Sequence, residues 1–260
     1  MRLSKSLKDA IKAHALDAYP HECCGLIVRN TIDNELDYIR VGNVSNDPAH
    51  HFEIDPAEYA EIEVLFAIEA IVHSHPDGEP MPSEPDRVQM ALHGVPWVIA
   101  SVNHGVVNIR THKPKAYTAP LVGREYVHGL QDCYSLVRDY YERECGLTLS
   151  DYSRAVDWWE DEHSPSLYVE NFKNEGFVEV PLSDIQKHDV IICRVGRTYH
   201  PNHALIYLGD SGELASEKTP PIFGKNLVIH HPHGRNSVRE IFGENWAKRV
   251  AMVVRHQSMF

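Results

Sequence analysis

Apolar positions in the first half of the chain switch between a helical and a strand period. Leu7, Ile11 and Ala15 recur at helical spacing within residues 4–18, and the run stops before Tyr19-Pro20, which predicts an opening helix. Cys24 to Arg29 and Tyr38 to Val41 read as strands. Asp55-Pro56-Ala57-Glu58 is a helix start, with an N-cap Asp, a Pro in the first turn and a Glu three residues after the cap. That helix is predicted to reach about Phe66 and to hand over to an apolar strand, Ala67 to Val72. Ser83 opens a further helix to about His93, and Trp97 to Val102 and Val106 to Arg110 read as strands. The first half is therefore expected to be a mixed α/β unit.

The stretch from Thr111 to Pro120 carries two prolines and no apolar period, the pattern of a linker. The rest of the chain has helices first and strands after, an α+β order. The expected division is a first domain over residues 1–111, a linker over 112–121 and a second domain over 122–260.

Chemistry concentrates where the strand ending at Val72 runs into His73-Ser74-His75-Pro76. Two histidines one residue apart on a strand point to the same side. Asp86, at the start of the next helix, can reach the same point and complete a His-His-Asp set. Zinc accepts imidazole nitrogen and carboxylate oxygen and leaves a fourth position for water in catalytic sites. The bland alternative is a turn with two surface histidines followed by a helix cap, since Ser83 and Asp86 also form a capping box. Capping alone does not require the two histidines upstream.

A second constellation begins at Asp132-Cys133-Tyr134-Ser135. Cys133, Leu136, Val137, Tyr140 and Tyr141 fall on one helical face, and Gly146 is a terminator. Asp132 as N-cap places Cys133 in the first turn, where the helix dipole favours thiolate. A thiolate needs an imidazole from elsewhere. His203, opening a strand-like run, and His230, closing one, are candidates; His200 is the rival to the former, and His231 to the latter, because a one-residue slip swaps strand faces. Cys133 alone is equally well read as a buried core cysteine. Trp158-Trp159, beside Glu160, Asp161 and Glu162, stands either as a saccharide platform or as core plus a charged turn.

The run H-S-H-P, six residues, S-x-x-D resembles the signature of the JAMM (MPN-plus) metalloproteases. The resemblance implies zinc held by His73, His75 and Asp86, a transition-state role for Ser83, and a glutamate general base in a P-x-E-x-C-G-L context. Pro20-His21-Glu22-Cys23-Cys24-Gly25-Leu26 supplies that context, which makes Glu22 the base. The order D-C-x-x-L-V, H-x-x-I-Y-L-G, then an apolar run ending in His is similar to the NlpC-type cysteine peptidases, a papain-like family. By that likeness Cys133 is the nucleophile, His203 the base and His230 the group that orients it. His188 stands where that family usually has Gly, and Tyr134-Ser135 where it has Ser-Gly.

A JAMM domain ahead of an NlpC-type domain resembles a family of tail assembly proteins of tailed phages. It implies a tail tip hydrolase acting on bacterial peptidoglycan peptides. Other tail tip proteins are implied partners, one with a ubiquitin-like segment being a second possible substrate. A purely structural tail component and a processing peptidase for a ubiquitin-like partner are the alternative readings.

Composition narrows this further. A net charge of −12 over 260 residues argues against general nucleic-acid binding. No apolar run approaches a membrane span. No hydrophobic region follows Met1 to Ser6, so synthesis in a host cytoplasm without a signal peptide is expected, with action at the virion tail tip and the cell wall. Five cysteines without regular spacing do not make a disulfide framework, and Cys23 and Cys24 read as buried filler.

Overall fold

A computed structural model describes residues 1–30 and 34–260, in two compact units, Met1–Thr118 and Ala119–Phe260.

The first unit is a five-stranded sheet in the order β2-β1-β3-β4-β5. Its strands are β1 (Cys24–Arg29), β2 (Leu36–Val41), β3 (Ala67–Pro76), β4 (Trp97–Asn103) and β5 (Val106–His112). Its helices are α1 (Lys5–Ala18), α2 (Pro56–Leu65) and α3 (Glu84–His93). Ser4 caps α1, and Asp55 caps α2 and Ser83 caps α3 as the sequence predicts for those two.

Strand parity builds two cores. Ile27, Ala70, Val72, Val98 and Ala100 face α1, where Leu7, Ile11 and Ala15 are buried. Leu26, Val28, Ile71 and Trp97 face the other way, onto Ile62 of α2 and Met90 of α3. Burying both faces explains why these strands read as near-continuous apolar runs. β3 and β4 are parallel and every other pairing in the sheet is antiparallel. A parallel pair needs a crossover, and α3 supplies it. The first turn of α3 therefore lies beyond the C-terminal end of β3, where the two histidines are.

The second unit is a six-stranded antiparallel sheet in the order β10-β9-β8-β7-β11-β6. The strands are β6 (Phe177–Val180), β7 (Val190–Cys193), β8 (His203–Gly209), β9 (Leu227–His230), β10 (Val238–Ile241) and β11 (Val250–His256). Helices α4 (Cys133–Tyr140), α5 (Leu167–Asn171) and α6 (Glu244–Ala247) accompany it. Leu136, Val137, Tyr140 and Tyr141 pack against Val190, Ile192, Ala204, Ile206 and Ile229 on one face. Ile191, Leu205, Tyr207, Val228 and Val253 form the core on the other. After α4 the chain makes a π turn, Tyr141–Cys145, which Gly146 ends at φ +68°, a conformation that favours glycine. All five cysteines are free, and Cys23 and Cys24 are buried. Among the described residues no helix is long and apolar enough to cross a membrane.

Candidate functional site

The first site forms at the C-terminal end of β3. Ile71, His73 and His75 share the face that looks towards α3, and the α3 N-terminus brings Asp86 to them. His73 Nε2 and His75 Nε2 lie 2.9 Å apart, and Asp86 Oδ2 lies 3.4 Å from the former and 3.3 Å from the latter. Three ligands of a tetrahedral zinc with bonds of 2.0–2.1 Å would be separated by about 3.3 Å. The triangle matches that requirement. Among the described residues these are the His, Cys, Asp or Glu side chains that converge in this way.

The surroundings orient each of the three side chains. His75 Nδ1 lies 2.8 Å from the Glu79 carbonyl, which can only accept, so its proton sits on Nδ1 and Nε2 is left as a lone pair aimed at the triangle. His73 is fully buried, stacked on Phe52 at 4.5 Å and edge-on to Trp97. Asp86 Oδ2 accepts from the Ser83 amide at 2.7 Å, while Ser83 Oγ accepts from the Asp86 amide at 3.2 Å. The capping box is thus present and also fixes the carboxylate, but His73 is buried and not the surface residue of the capping-only reading. The Ser83 hydroxyl proton stays available as a donor. The His73 and His75 charges hold the Asp86 carboxyl well below the usual carboxylate range, against the opposing effect of burial.

Glu22 arrives by strand register. Cys24 is paired with His73, so Glu22, two residues earlier, stands level with His75 on the same face. Ser74 locks this alignment: its hydroxyl accepts from the Cys23 amide at 2.8 Å, and its amide donates to the Cys23 carbonyl at 3.1 Å. Glu22 is buried, and that burial pushes its carboxyl up to about 8, opposed by the charge of His75. A carboxyl held there is poised for proton transfer near neutral pH.

The second site is a cleft of about 230 Å³ in the C-terminal unit. Cys133, His203 and His231 line it, with an aromatic wall that includes Tyr126, Trp158 and Trp159. Asp132 is the N-cap of α4, as its sequence predicts, and accepts from the Ser135 amide at 2.8 Å. Its other oxygen accepts from Arg154 Nε at 2.8 Å. His203 Nε2 lies 2.8 Å from His230 Nδ1. It is His230, not His231, that reaches His203; His231 packs edge-on to Tyr126, and parity turns it to the opposite face. His200 is held away, stacked on Trp158 with Nε2 at 3.1 Å from the Asp161 carbonyl. Trp158 packs against the main core and also walls the cleft beside Trp159.

The helix dipole was expected to favour the Cys133 thiolate, yet burial and then the Asp132 charge push the thiol up to about 11. Burial, followed by His230, His231 and Arg249, pushes the His203 imidazole down to about 3. Both shifts favour the neutral forms of thiol and imidazole.

The same burial has a consequence for stability. Burial also pushes His231 down to about 4, while an unfolded histidine titrates near 6.5. Between these values the unfolded chain binds more protons, so the contribution is full above about pH 6.5 and falls as pH drops towards 4. Each histidine then removes on the order of 2 kcal/mol at about pH 4.5. Urea melts followed by tryptophan fluorescence should show the loss between about pH 7 and 4.5, and a flat profile would contradict it.

Three neighbours of Cys133, His203 and His230 escaped sequence reasoning. The Tyr168 hydroxyl lies 3.2 Å from Cys133 Sγ, Trp246 stacks on His203 at 5.5 Å, and Glu240 lies 3.2 Å from His230 Nε2. Nothing in the spacing of Tyr168 marks it, because α5 reaches the cleft only through tertiary packing. A hydroxyl donating to the sulfur stabilises thiolate by about 1.5–3 kcal/mol. Tyr168→Phe should therefore slow alkylation of Cys133 roughly three- to tenfold, the gain in intrinsic nucleophilicity cancelling part of the loss. An unchanged rate would remove the hydroxyl from the account.

Comparison with known proteins agrees with this geometry. Residues 4–113 match the family of prokaryotic homologs of the JAB domain, and residues 123–255 match the NlpC/P60 family. The chain is 34% identical to the tail tip assembly protein K of Escherichia phage N15, over 96% of this chain and 94% of that protein. It is 35% identical to the protein of the same name from Escherichia phage lambda, over 79% of this chain and 90% of that one. A desampylase of Haloferax volcanii is 29% identical over 39% of this chain and 80% of its own length. With both family models in chain order, and such identity along almost its whole length, the chain belongs to the tail tip assembly protein K family, a JAB-type domain followed by an NlpC/P60 domain.

Proposed function

We propose that this protein is a tail tip hydrolase with two chemically independent sites, and that the thiol site cleaves peptide amide bonds of bacterial peptidoglycan. The observation that carries this is a cleft lined by Cys133 and His203 in an NlpC/P60 domain, with His203 hydrogen-bonded to His230. Cys133 Sγ attacks the amide carbonyl carbon as its proton passes to His203. The C–N bond breaks when His203 returns that proton to the leaving amine. Water, deprotonated by His203, then hydrolyses the thioester. The wall of Trp158, Trp159 and Tyr126 suits a substrate with flat faces, as in a peptide carried on a glycan strand.

The JAB-type domain is proposed as a zinc-dependent peptidase or isopeptidase. His73, His75 and Asp86 would hold the ion, which supplies an ionised water near neutral pH and polarises the scissile carbonyl. Glu22 takes the proton of the attacking water and delivers it to the leaving nitrogen. Ser83 donates its hydroxyl to the developing oxyanion. Similarity to a desampylase supports a hydrolytic role for this domain. A ubiquitin-like segment of another tail tip protein is its proposed substrate, in keeping with assembly in the host cytoplasm and later action at the cell wall.

The test is mass analysis of material released from purified peptidoglycan. New peptide termini appearing with the native protein support the reading, and intact peptidoglycan after prolonged incubation would sink it.

A further inference from the structure

On the face of the C-terminal sheet that carries Leu205 and Val228, three polar side chains form a diagonal line across three strands. Leu205 is paired with His230, and Val228 with Glu240. His203, His230 and Glu240 are therefore each one diagonal step from the next on one face, a spacing that long side chains bridge. The contacts run along that line. His203 Nε2 lies 2.8 Å from His230 Nδ1, and His230 Nε2 lies 3.2 Å from Glu240 Oε1, close enough to pair though off good hydrogen-bond alignment. The Trp246 indole N–H donates to the same Glu240 oxygen. Trp246 also stacks on the His203 ring at 5.5 Å and 25° and meets the His230 ring edge-on at 5.0 Å.

We propose that Glu240, held by Trp246, is a positioning residue that sets the tautomers of both histidines so that His203 presents a bare Nδ1 to Cys133. This rests on the reading of Cys133 as nucleophile and His203 as base.

Two neutral imidazoles joined Nε2 to Nδ1 can share their protons in two ways. In one, His203 donates from Nε2, its Nδ1 carries a lone pair, and it is competent as a base. In the other, His230 donates from Nδ1, and His203 carries its proton on Nδ1, where it blocks proton transfer. A carboxylate beside His230 Nε2 accepts and cannot donate. It therefore keeps the His230 proton on Nε2, leaving Nδ1 as an acceptor for the His203 proton. Only the competent arrangement satisfies every contact. When the Cys133 proton moves to His203 Nδ1, the imidazolium keeps its Nε2 proton, and its charge is stabilised through His230 by Glu240. No proton leaves the pair.

The environment gives this device its weight. His203 and His230 are buried, while the Glu240 side chain is 42% exposed and can swing into line. Burial lowers the pKa of both histidines most; His230, His231 and Arg249, before β11, lower that of His203 further, and Arg235, in the turn before β10, that of His230, whereas Glu240 raises that of His230. It is thus the group here that favours positive charge on the relay.

The test uses the full chain with Glu240→Gln, Glu240→Asp and His203→Ala. Two readouts are needed: ¹⁵N NMR of the histidine tautomers, and the pH profile of alkylation at Cys133, resolved from the other cysteines by peptide mass mapping. In the native protein both histidines should be protonated at Nε2. Glu240→Gln, whose amide can donate or accept and can still receive the Trp246 bond, should mix the tautomers. It should also slow alkylation near neutral pH roughly ten- to hundredfold, less than the ~10⁴ seen where a carboxylate touches the base directly. Glu240→Asp should restore most of the rate. Native tautomers and a native rate in Glu240→Gln would overturn the proposal. Alkylation indifferent to His203→Ala would overturn the thiol–base reading itself, and this inference with it.

Discussion

Cys133→Ala is expected to abolish release of peptides from purified peptidoglycan, by about 10⁴-fold or more, because no other group at the cleft can form the acyl intermediate. Cys133 sits on the first turn of α4 with its sulfur among Tyr168, Asn202 and the cleft wall, and the substitution removes one atom without adding any. The Asp132 cap and its Arg154 bond do not involve the sulfur, so the fold should stay within about 1 kcal/mol of native. His203→Ala should approach the same loss, since the thiol at about 11 is almost wholly protonated without an adjacent base. Peptide release by Cys133→Ala at the native rate, with the melting temperature unchanged, would place the wall chemistry elsewhere.

The second large effect concerns the JAB-type domain. The native protein should carry about one zinc per chain, measured by atomic emission after dialysis. His73→Ala or Asp86→Asn should leave it without tightly bound zinc, a loss exceeding the roughly 100-fold that removal of an outer-shell partner costs. Asp86→Asn is chosen because its amide oxygen can still accept from the Ser83 amide and preserve the α3 cap. Ser83→Ala is the counterpart: it should keep the metal and lose about 1 kcal/mol of stability with the capping hydroxyl. If Asp86→Asn retained zinc as tightly as native, the triangle of His73, His75 and Asp86 would not be the metal centre.

How far the sequence carried depended on the range of the contacts. His73, His75 and Asp86 were legible because a strand end, a short loop and a capped helix start are local and have fixed periods. Glu22 was legible only through its motif context; its place beside His75 is a matter of β1–β3 register, which Ser74 secures and no local pattern announces. Cys133 and His203 could be named from their element boundaries. The choice between His230 and His231 could not be made until the pairing of β8 with β9 fixed which residue shares a face with His203. Glu240, Trp246 and Tyr168 left no signal, since each reaches the site by a diagonal across strands or by packing of a short helix. The electrostatics of Cys133 were only half legible for a related reason: the dipole of α4 is visible in sequence, whereas burial of the sulfur, which pushes its pKa up, is a property of the assembled cleft.

In the proposed function the two sites act independently and the thiol site is the one that opens the cell wall. The most direct measurement compares peptides released from purified peptidoglycan by the native protein, by Cys133→Ala and by native protein stripped of metal with a chelator. The expected result is the same set of products from the native and chelated samples and none from Cys133→Ala. Products that vanish on chelation but persist in Cys133→Ala would contradict it and assign the wall bond to the site of His73, His75 and Asp86.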